Sequence, residues 1–594
     1  MMATWGIIGL LVCSIVPGYI LLRVTGCERI LPNFSGPFAL SLLLNCLFVQ
    51  LVVWLGIYTP EFVRPLGVVL VLLAWGFLLT DRRLVLSEVA GRTRNNVAAF
   101  TASGTGRPLA IFSLILLPFI IWSISQTAGK DAGTLITGYD PVAQWNLWAI
   151  DWGSNHFPNR IYHYPQLLPI AWSIPYAFMG NIEVQLFSSA LKVFFWFGIL
   201  ETLLFISLKL GRPALFLSFP LAYMYFLRCG HSTAMEDYVD VPVSFMAIVS
   251  FGAIVGRSTG TVSRGDLVLA FAIASGTAMT KQVGLYMIGA IPLVLMAWRF
   301  ETSRSLREAI VFGLRMIPLF ILALVAASSM YVYAELTIRN GTNVSAFSYL
   351  FDEVYEANGT GTRILVALKS ISSWWWLTAL TVAGGAASLA DRTWRWPLPL
   401  IVVPFFVSWL VFFSYDERNL SLIACFLGLS VAAGVNIMVH NLPDWQARTF
   451  PRFDRYGIAS VTIALTTVAI ILTSKTPASD LVRRQHDLEK EKLARDEEGP
   501  LISKIIEDIV IRHPGLAIFS DWRWACQYNF TRALPCHRLL KPSLETIPEQ
   551  TPALLILFTR NVSADIVTSL LDHGYVETRQ GLPLKVSFYL KEAR

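Results

Sequence analysis

The sequence predicts an α-helical protein that crosses a membrane many times and ends in a small α/β domain outside the bilayer. Three observations carry that expectation. Of its 594 residues 55% are hydrophobic and only 15% are charged, with a mean hydropathy of +0.56, where a soluble fold of this size would be more polar. Apolar windows long enough to cross a bilayer recur up to residue 473. Basic residues collect in alternate short loops, which is an orientation signal.

Met1 to Leu22 lacks a basic leading segment and an Ala-x-Ala-like cleavage site, so it reads as a retained first span and not a signal peptide. Windows follow near 37–57, 65–80, 109–127, 183–208, 213–227, 240–256, 266–280, 283–298, 316–336, 371–390, 397–414, 419–439 and 457–473, giving 13 to 14 spans. Arg82, Arg83, Arg92, Arg94 and Arg107 in one loop, and Arg299, Arg304, Arg307 and Arg315 in another, place both loops in the cytoplasm. Counting from there brings Lys209/Arg212, Arg257/Arg264, Arg392/Arg395 and Arg448/Arg452/Arg455 to the same side. This works only if 266–298 is two short spans with Lys281 at their outer turn. Residues 137–180, 228–239, 337–370, 415–418 and the tail after 474 then lie outside. Three regions result: 1–108 with extra N-terminal spans, a membrane region 109–473, and an outer domain 474–594. The formal charge of +7 belongs to the orientation loops and predicts no nucleic-acid partner.

The first large outer loop is polar and tryptophan-rich. Asp140-Pro141 reads as a helix N-cap and first helical position. At helical spacing Trp145, Trp148 and Trp152 share one side, with Asp140, Gln144 and Asp151 on a neighbouring stripe. This suits an interfacial helix with its indoles among headgroups. Tyr164-Pro165 opens a second, shorter helix to Gly180, interfacial or re-entrant. In the tail, the mixed charges of Ser479 to Gly499 predict a solvated helix. After it come a helix (Leu501–Arg512), strands at Leu516–Ser520 and Ala553–Phe558, a helix (Ala564–His573) and a strand (Leu584–Leu590). Cys526 and Cys536 share this domain, as a disulfide or as two thiols.

Ionisable residues at or inside spans are costly and each needs a reason. Asp140 can be a cap and still offer oxygen lone pairs to a substrate; Asp151 reads as a surface residue. Glu236, Asp237 and Asp240 bring three carboxylates to a span mouth where one cap would suffice. Lys281 sits between two short spans on the side where lysine is disfavoured, and Arg418 lies beside Asp416 and Glu417. Lys192 lies inside a window and needs an anionic partner or a ligand. His163 and His231 fall on the outer side; with Asp140 or Asp240 they match no metal-ligand spacing, so no cofactor is predicted, and a divalent metal held by them stays open as the alternative. Carboxylates and cations together suit transfer from a sugar linked to a polyprenyl phosphate. The leaving phosphate needs cations around it, and the acceptor hydroxyl needs a base. Direct displacement predicts inversion at the anomeric carbon.

The ordered motifs YDP…W…WA…W, YPQLLP, YVDVPVSF, TKQVGLY and DERNL resemble the GT-C superfamily of membrane glycosyltransferases. The likeness is to the family 39-like branch of aminoarabinose transferases and protein O-mannosyltransferases, and it spans roughly residues 109 to 440. It implies a GT-C-like fold in a bacterial inner membrane with the active site and C-terminal domain on the periplasmic face. It also implies a polyprenyl-phosphate sugar as donor and an envelope glycan, lipid or protein as acceptor. Asp140 matches the catalytic base and Asp240 an acidic residue that assists it or positions substrate. Lys281 and Arg418 match basic residues that hold the lipid phosphate. Tyr164, with Pro165, matches a proline motif, and His163, Asp237 and Lys192 join the expected substrate site. The sequence departs from the pattern where Pro141 replaces a second acid and Asn419 follows Arg418. The rivals are a lipid-linked sugar transporter or flippase, a ligase using a polyprenyl-diphosphate donor, and a non-catalytic scaffold.

Overall fold

The structure, a computed structural model, describes residues 2–27, 30–80, 107–131, 136, 141–158, 164–182, 184–229, 238–255, 262–339, 360–413, 417–449, 501–502, 504–521, 525, 536–538, 552–558, 562–578 and 586–592. The chain divides into two compact units, residues 1–135 with 151–474, and residues 136–150 with 475–594.

The first unit is helical. It opens with α1 (Met2–Ser14) and α2 (Val16–Thr25), bent 42° apart; Pro17 in the first turn of α2 has no N–H to extend the preceding ladder. Then come α3 (Ser35–Trp54), α4 (Pro60–Thr80), α5 (Arg107–Asp131) and α6 (Asn146–Gly153), whose residues up to Ile150 are counted with the second unit. They are followed by α7 (Leu167–Met179), α8 (Leu186–Ser189), α9 (Leu191–Lys209) and α10 (Ser218–Cys229). Next are α11 (Asp240–Val255), α12 (Arg264–Thr280), α13 (Leu285–Ser303) and α14 (Leu306–Arg339). Last come α15 (Thr360–Ser373), α16 (Trp375–Ser388), a run Leu398–Phe413 with π-turns at both ends, and α17 (Ser421–Thr449). Among the described residues six helices are long and apolar enough to cross a membrane, or eight if each bent pair is one span. The windows near 213–227, 240–256 and 397–414 form shorter apolar helices, and the window 457–473 lies outside the described residues.

The core forms around α11, which packs on α9, α12 and α17 and is buried along its whole length. That is why its sequence is apolar on every face and shows no stripe. Phe245 stacks near Phe38 and Phe195, with ring centroids 5.0 and 5.5 Å away. Small residues let α16 and α17 touch: a Cβ on Gly434 would lie 1.9 Å from the Gly384 carbonyl oxygen.

The hairpin expected at 266–298 is present. Helix α12 stops at Thr280, Lys281 is extended (φ −151°, ψ 147°), and a short 3-10 turn over Gln282–Gly284 leads into α13. Gly284 is demanded by space, since a Cβ there would meet the Thr277 carbonyl oxygen at 2.1 Å. Following the antiparallel order of α11, α12 and α13, Asp240 and Lys281 share one end of the bundle, while Glu301 and Arg299 lie at the other. At that far end Arg395 and Arg392 reach Glu301 at 3.3 and 3.6 Å, Trp396 Nε1 donates to it at 2.8 Å, and Arg212 pairs with Asp391.

In the second unit a five-stranded sheet has the order β2-β1-β3-β5-β4. Here β1 is Ala517–Ser520, β2 Cys536–Arg538, β3 Ala553–Phe558, β4 Val576–Glu577 and β5 Val586–Lys591. The pairs β1/β2 and β1/β3 are parallel, and β3/β5 and β4/β5 antiparallel. Helix Ala564–Asp572 helps cover a core of Leu555, Leu557, Leu570, Tyr575 and Tyr589. Strands β1, β3 and β5 fall where expected. Strands β2 and β4, three and two residues long, are edge strands with no apolar run to announce them. Cys536 lies in β2, and Cys526 lies outside the described residues.

Candidate active site

One end of the membrane unit gathers three chain segments that are far apart in sequence. The first is Tyr238–Asp240 at the start of α11. A carboxylate in that first turn faces exposed backbone N–H groups and is favoured by the helix dipole. The second is Lys281, at the break between α12 and α13. The third is the 3-10 turn Glu417–Leu420 and the first residue of α17, Ser421.

Lys281 Nζ donates to Asp240 Oδ1 at 2.8 Å, and Ser421 Oγ donates to the same oxygen at 3.2 Å. Both charged side chains are buried, 10% and 3% exposed, so each supplies the counter-charge the other needs in a low dielectric. Among the described residues the Asp240 carboxylate makes no hydrogen bond to backbone, and its Oδ1 goes to the ion pair and Ser421. The Arg418 guanidinium lies over the Tyr238 ring, 5.0 Å from its centroid, a cation–π contact. Glu417 accepts from Ser370 Oγ at the end of α15.

Two contributors have no clear signal in the sequence. Ser421 is one serine among many. Arg228, at the end of α10, is half-buried, and its Nε makes no hydrogen bond to the described residues; it sits at a span end, where arginine is common, and Glu417 acts on it electrostatically. Beside these segments an apolar cavity of about 300 Å³ is lined by Tyr225, Trp374, Phe406 and Leu420, among others.

The remaining expected residues fare differently. Asp140, His163 and Asp237 lie outside the described residues, as do Glu236 and His231. Tyr164 precedes α7, and its carbonyl accepts from Gln166 Nε2 at 2.9 Å, while Trp152 Nε1 donates to Gln166 Oε1 at 3.2 Å. All thirteen residues of α7 are buried. Leu167 lies near Gly276 in the last turns of α12, which puts the start of α7 close to the Lys281 end. Lys192 is in the first turn of α9 and half-buried, near the helix end and not at its middle. The loop helix begins at Pro141 with a π-turn and continues as α6. Its indoles differ from the expectation of a headgroup setting: Trp145, Trp148 and Trp152 are only 2%, 4% and 0% exposed, so they are packed in protein. Asp151, expected on the surface, is half-buried, and burial pushes its carboxyl up to about 7. Among the described residues no three His, Cys, Asp or Glu side chains are grouped to hold a metal ion.

No protein-family model matches the sequence, and no curated protein matches it. Solved structures do. ArnT from Cupriavidus metallidurans in the apo state is 12% identical with a TM-score of 0.50, covering 80% of this chain and 97% of that one. This is a GT-C-like membrane fold. A second ArnT structure from the same organism, bound to undecaprenyl phosphate, is 11% identical over the same shares with a TM-score of 0.45.

Proposed function

We propose that the protein is an inverting glycosyltransferase that moves a sugar from a polyprenyl-phosphate donor to an envelope glycan, lipid or protein acceptor on the periplasmic face. The observation that carries this reading is the buried Lys281–Asp240 pair with Arg418 beside it, at one end of a GT-C-like bundle and opposite the basic loops. In this reading Lys281 and Arg418 take the lipid phosphate, as a point charge and as a planar fork respectively. One N–H of Lys281 is held by Asp240, which leaves two for phosphate oxygens. Asp240 is then a positioning residue: with Ser421 it fixes the ammonium and lowers the cost of keeping it buried. The prenyl chain would lie in the apolar cavity beside Leu420. Asp140 is proposed as the base that takes the proton of the acceptor hydroxyl as that oxygen attacks the anomeric carbon. The C1–O bond to phosphate breaks with its electron pair going to the phosphate oxygen, whose charge the cations stabilise.

The test supplies purified protein with a panel of sugar-labelled polyprenyl phosphates and an envelope extract, and follows label moving into glycan, lipid or protein. Wild type is expected to transfer label and Asp140→Asn is not. Movement of the intact lipid-linked sugar across a vesicle membrane without transfer would replace the proposal with a transporter.

A further inference from the structure

The far end of the bundle, away from Asp240, holds a second cavity of about 560 Å³ between α13 and α14. Three arginines line it, Arg299, Arg307 and Arg315, against one acid, Glu308. Arg299 Nη2 is already paired with Glu308 Oε2 at 2.6 Å, so that acid is neutralised. Arg307 and Arg315 make no hydrogen bond or ion pair with the described residues. At positions i and i+8 along α14, with Val311 between them at i+4, they fall on one stripe and reach the same cavity.

Arg315 is the residue that needs an explanation. It lies within Leu306–Ser329, a window apolar enough to cross a membrane, roughly 13 Å along the helix from Leu306 at the usual rise per residue. Around it Leu306, Ile310, Leu314, Ile317 and Ile321 are 45–65% exposed, which is how a lipid-facing helix looks. An exposed arginine at that depth is expensive unless an anion meets it or its side chain reaches the headgroups. The cavity has the lining a lipid headgroup needs, with arginines for its phosphate and Val311 and Phe312 on its apolar side.

We propose that this cavity binds the headgroup of an anionic phospholipid, with Arg307 and Arg315 on its phosphate and its acyl chains along the exposed apolar face of α14. A lipid is favoured over a soluble anion because the unpaired arginines share their helix with that face. The site is independent of sugar transfer and would brace the α13–α14 hairpin.

The test titrates detergent-purified protein with cardiolipin and with phosphatidylcholine, reading bound lipid by native mass spectrometry. Glycerol 3-phosphate serves as a headgroup without acyl chains. Wild type is expected to bind cardiolipin well above phosphatidylcholine and to bind glycerol 3-phosphate weakly. Each arginine removed should weaken binding roughly fivefold, so Arg307→Gln with Arg315→Gln should lose roughly 25-fold, while the double lysine variant keeps most of the affinity. Should the double glutamine variant not fold, Arg315→Gln alone decides on the fivefold step. Equal binding by wild type and the glutamine variant, or equal binding of cardiolipin and phosphatidylcholine, overturns the proposal. Binding of glycerol 3-phosphate as tight as cardiolipin would also overturn it, in favour of a soluble anion.

Discussion

Breaking the Lys281–Asp240 pair should be costly one residue at a time and cheap both at once. At 2.8 Å two unit charges in an effective dielectric of about 20 attract by about 6 kcal/mol. Desolvating the two ions costs several kcal/mol each, so the net worth of the pair is near zero. Removing one partner leaves the other buried without a counter-charge, at about 3–5 kcal/mol. Lys281→Met strands a carboxylate that keeps only Ser421, and Asp240→Asn strands an ammonium. The double variant removes both charges, leaves neither stranded, and should cost far less than either single. Unfolding of the three variants and wild type in a denaturing detergent titration gives the cycle directly. If the two single costs add within about 0.5 kcal/mol, the charges do not depend on each other, and the placement of Asp240 as the holder of Lys281 is refuted.

Two further outcomes follow from the geometry. Burial raises the Asp151 carboxyl to about 7, whereas the unfolded chain ionises near 3.9. Between those values the folded state binds the extra proton, so stability falls as pH rises from about 4 to 7 and is flat above. Asp151→Asn should therefore raise the melting temperature more at pH 8 than at pH 5; an equal gain at both pH values would show that this carboxylate is not strained by burial. Gly284→Ala should cost about 1–3 kcal/mol, because its Cβ would sit 2.1 Å from a carbonyl oxygen, and melting of the purified variant measures it. An unchanged melting temperature would mean that the turn at Lys281 has room to move.

Much of this was legible in the sequence because membrane helices and basic loops are written in composition. The basic-loop pattern required 266–298 to be two short spans turning at Lys281, and the structure puts Lys281 at a helix break facing Asp240. The stranded tail was readable where strands are apolar, as in Ala553–Phe558, which is buried at every residue. What could not be read depends on three-dimensional proximity. Nothing in the sequence marks Ser421 as a partner of Asp240, 181 positions away. The tryptophans of the first loop carry the pattern of an interfacial helix, yet tertiary packing buries them, because one amphipathic stripe fits lipid headgroups and protein equally well. The shorter helices, such as α7, escape a span count since protein and not lipid surrounds them.

The most direct test of the central claim is release of free polyprenyl phosphate from a panel of polyprenyl-phosphate sugars by wild type and by Lys281→Met, compared at equal amounts of folded protein. The account predicts release by wild type with at least one donor and a fall of roughly 100-fold or more in the variant, the scale of losing a charge that stabilises the departing group. Equal release by the two proteins, or none from wild type with any donor, would contradict it.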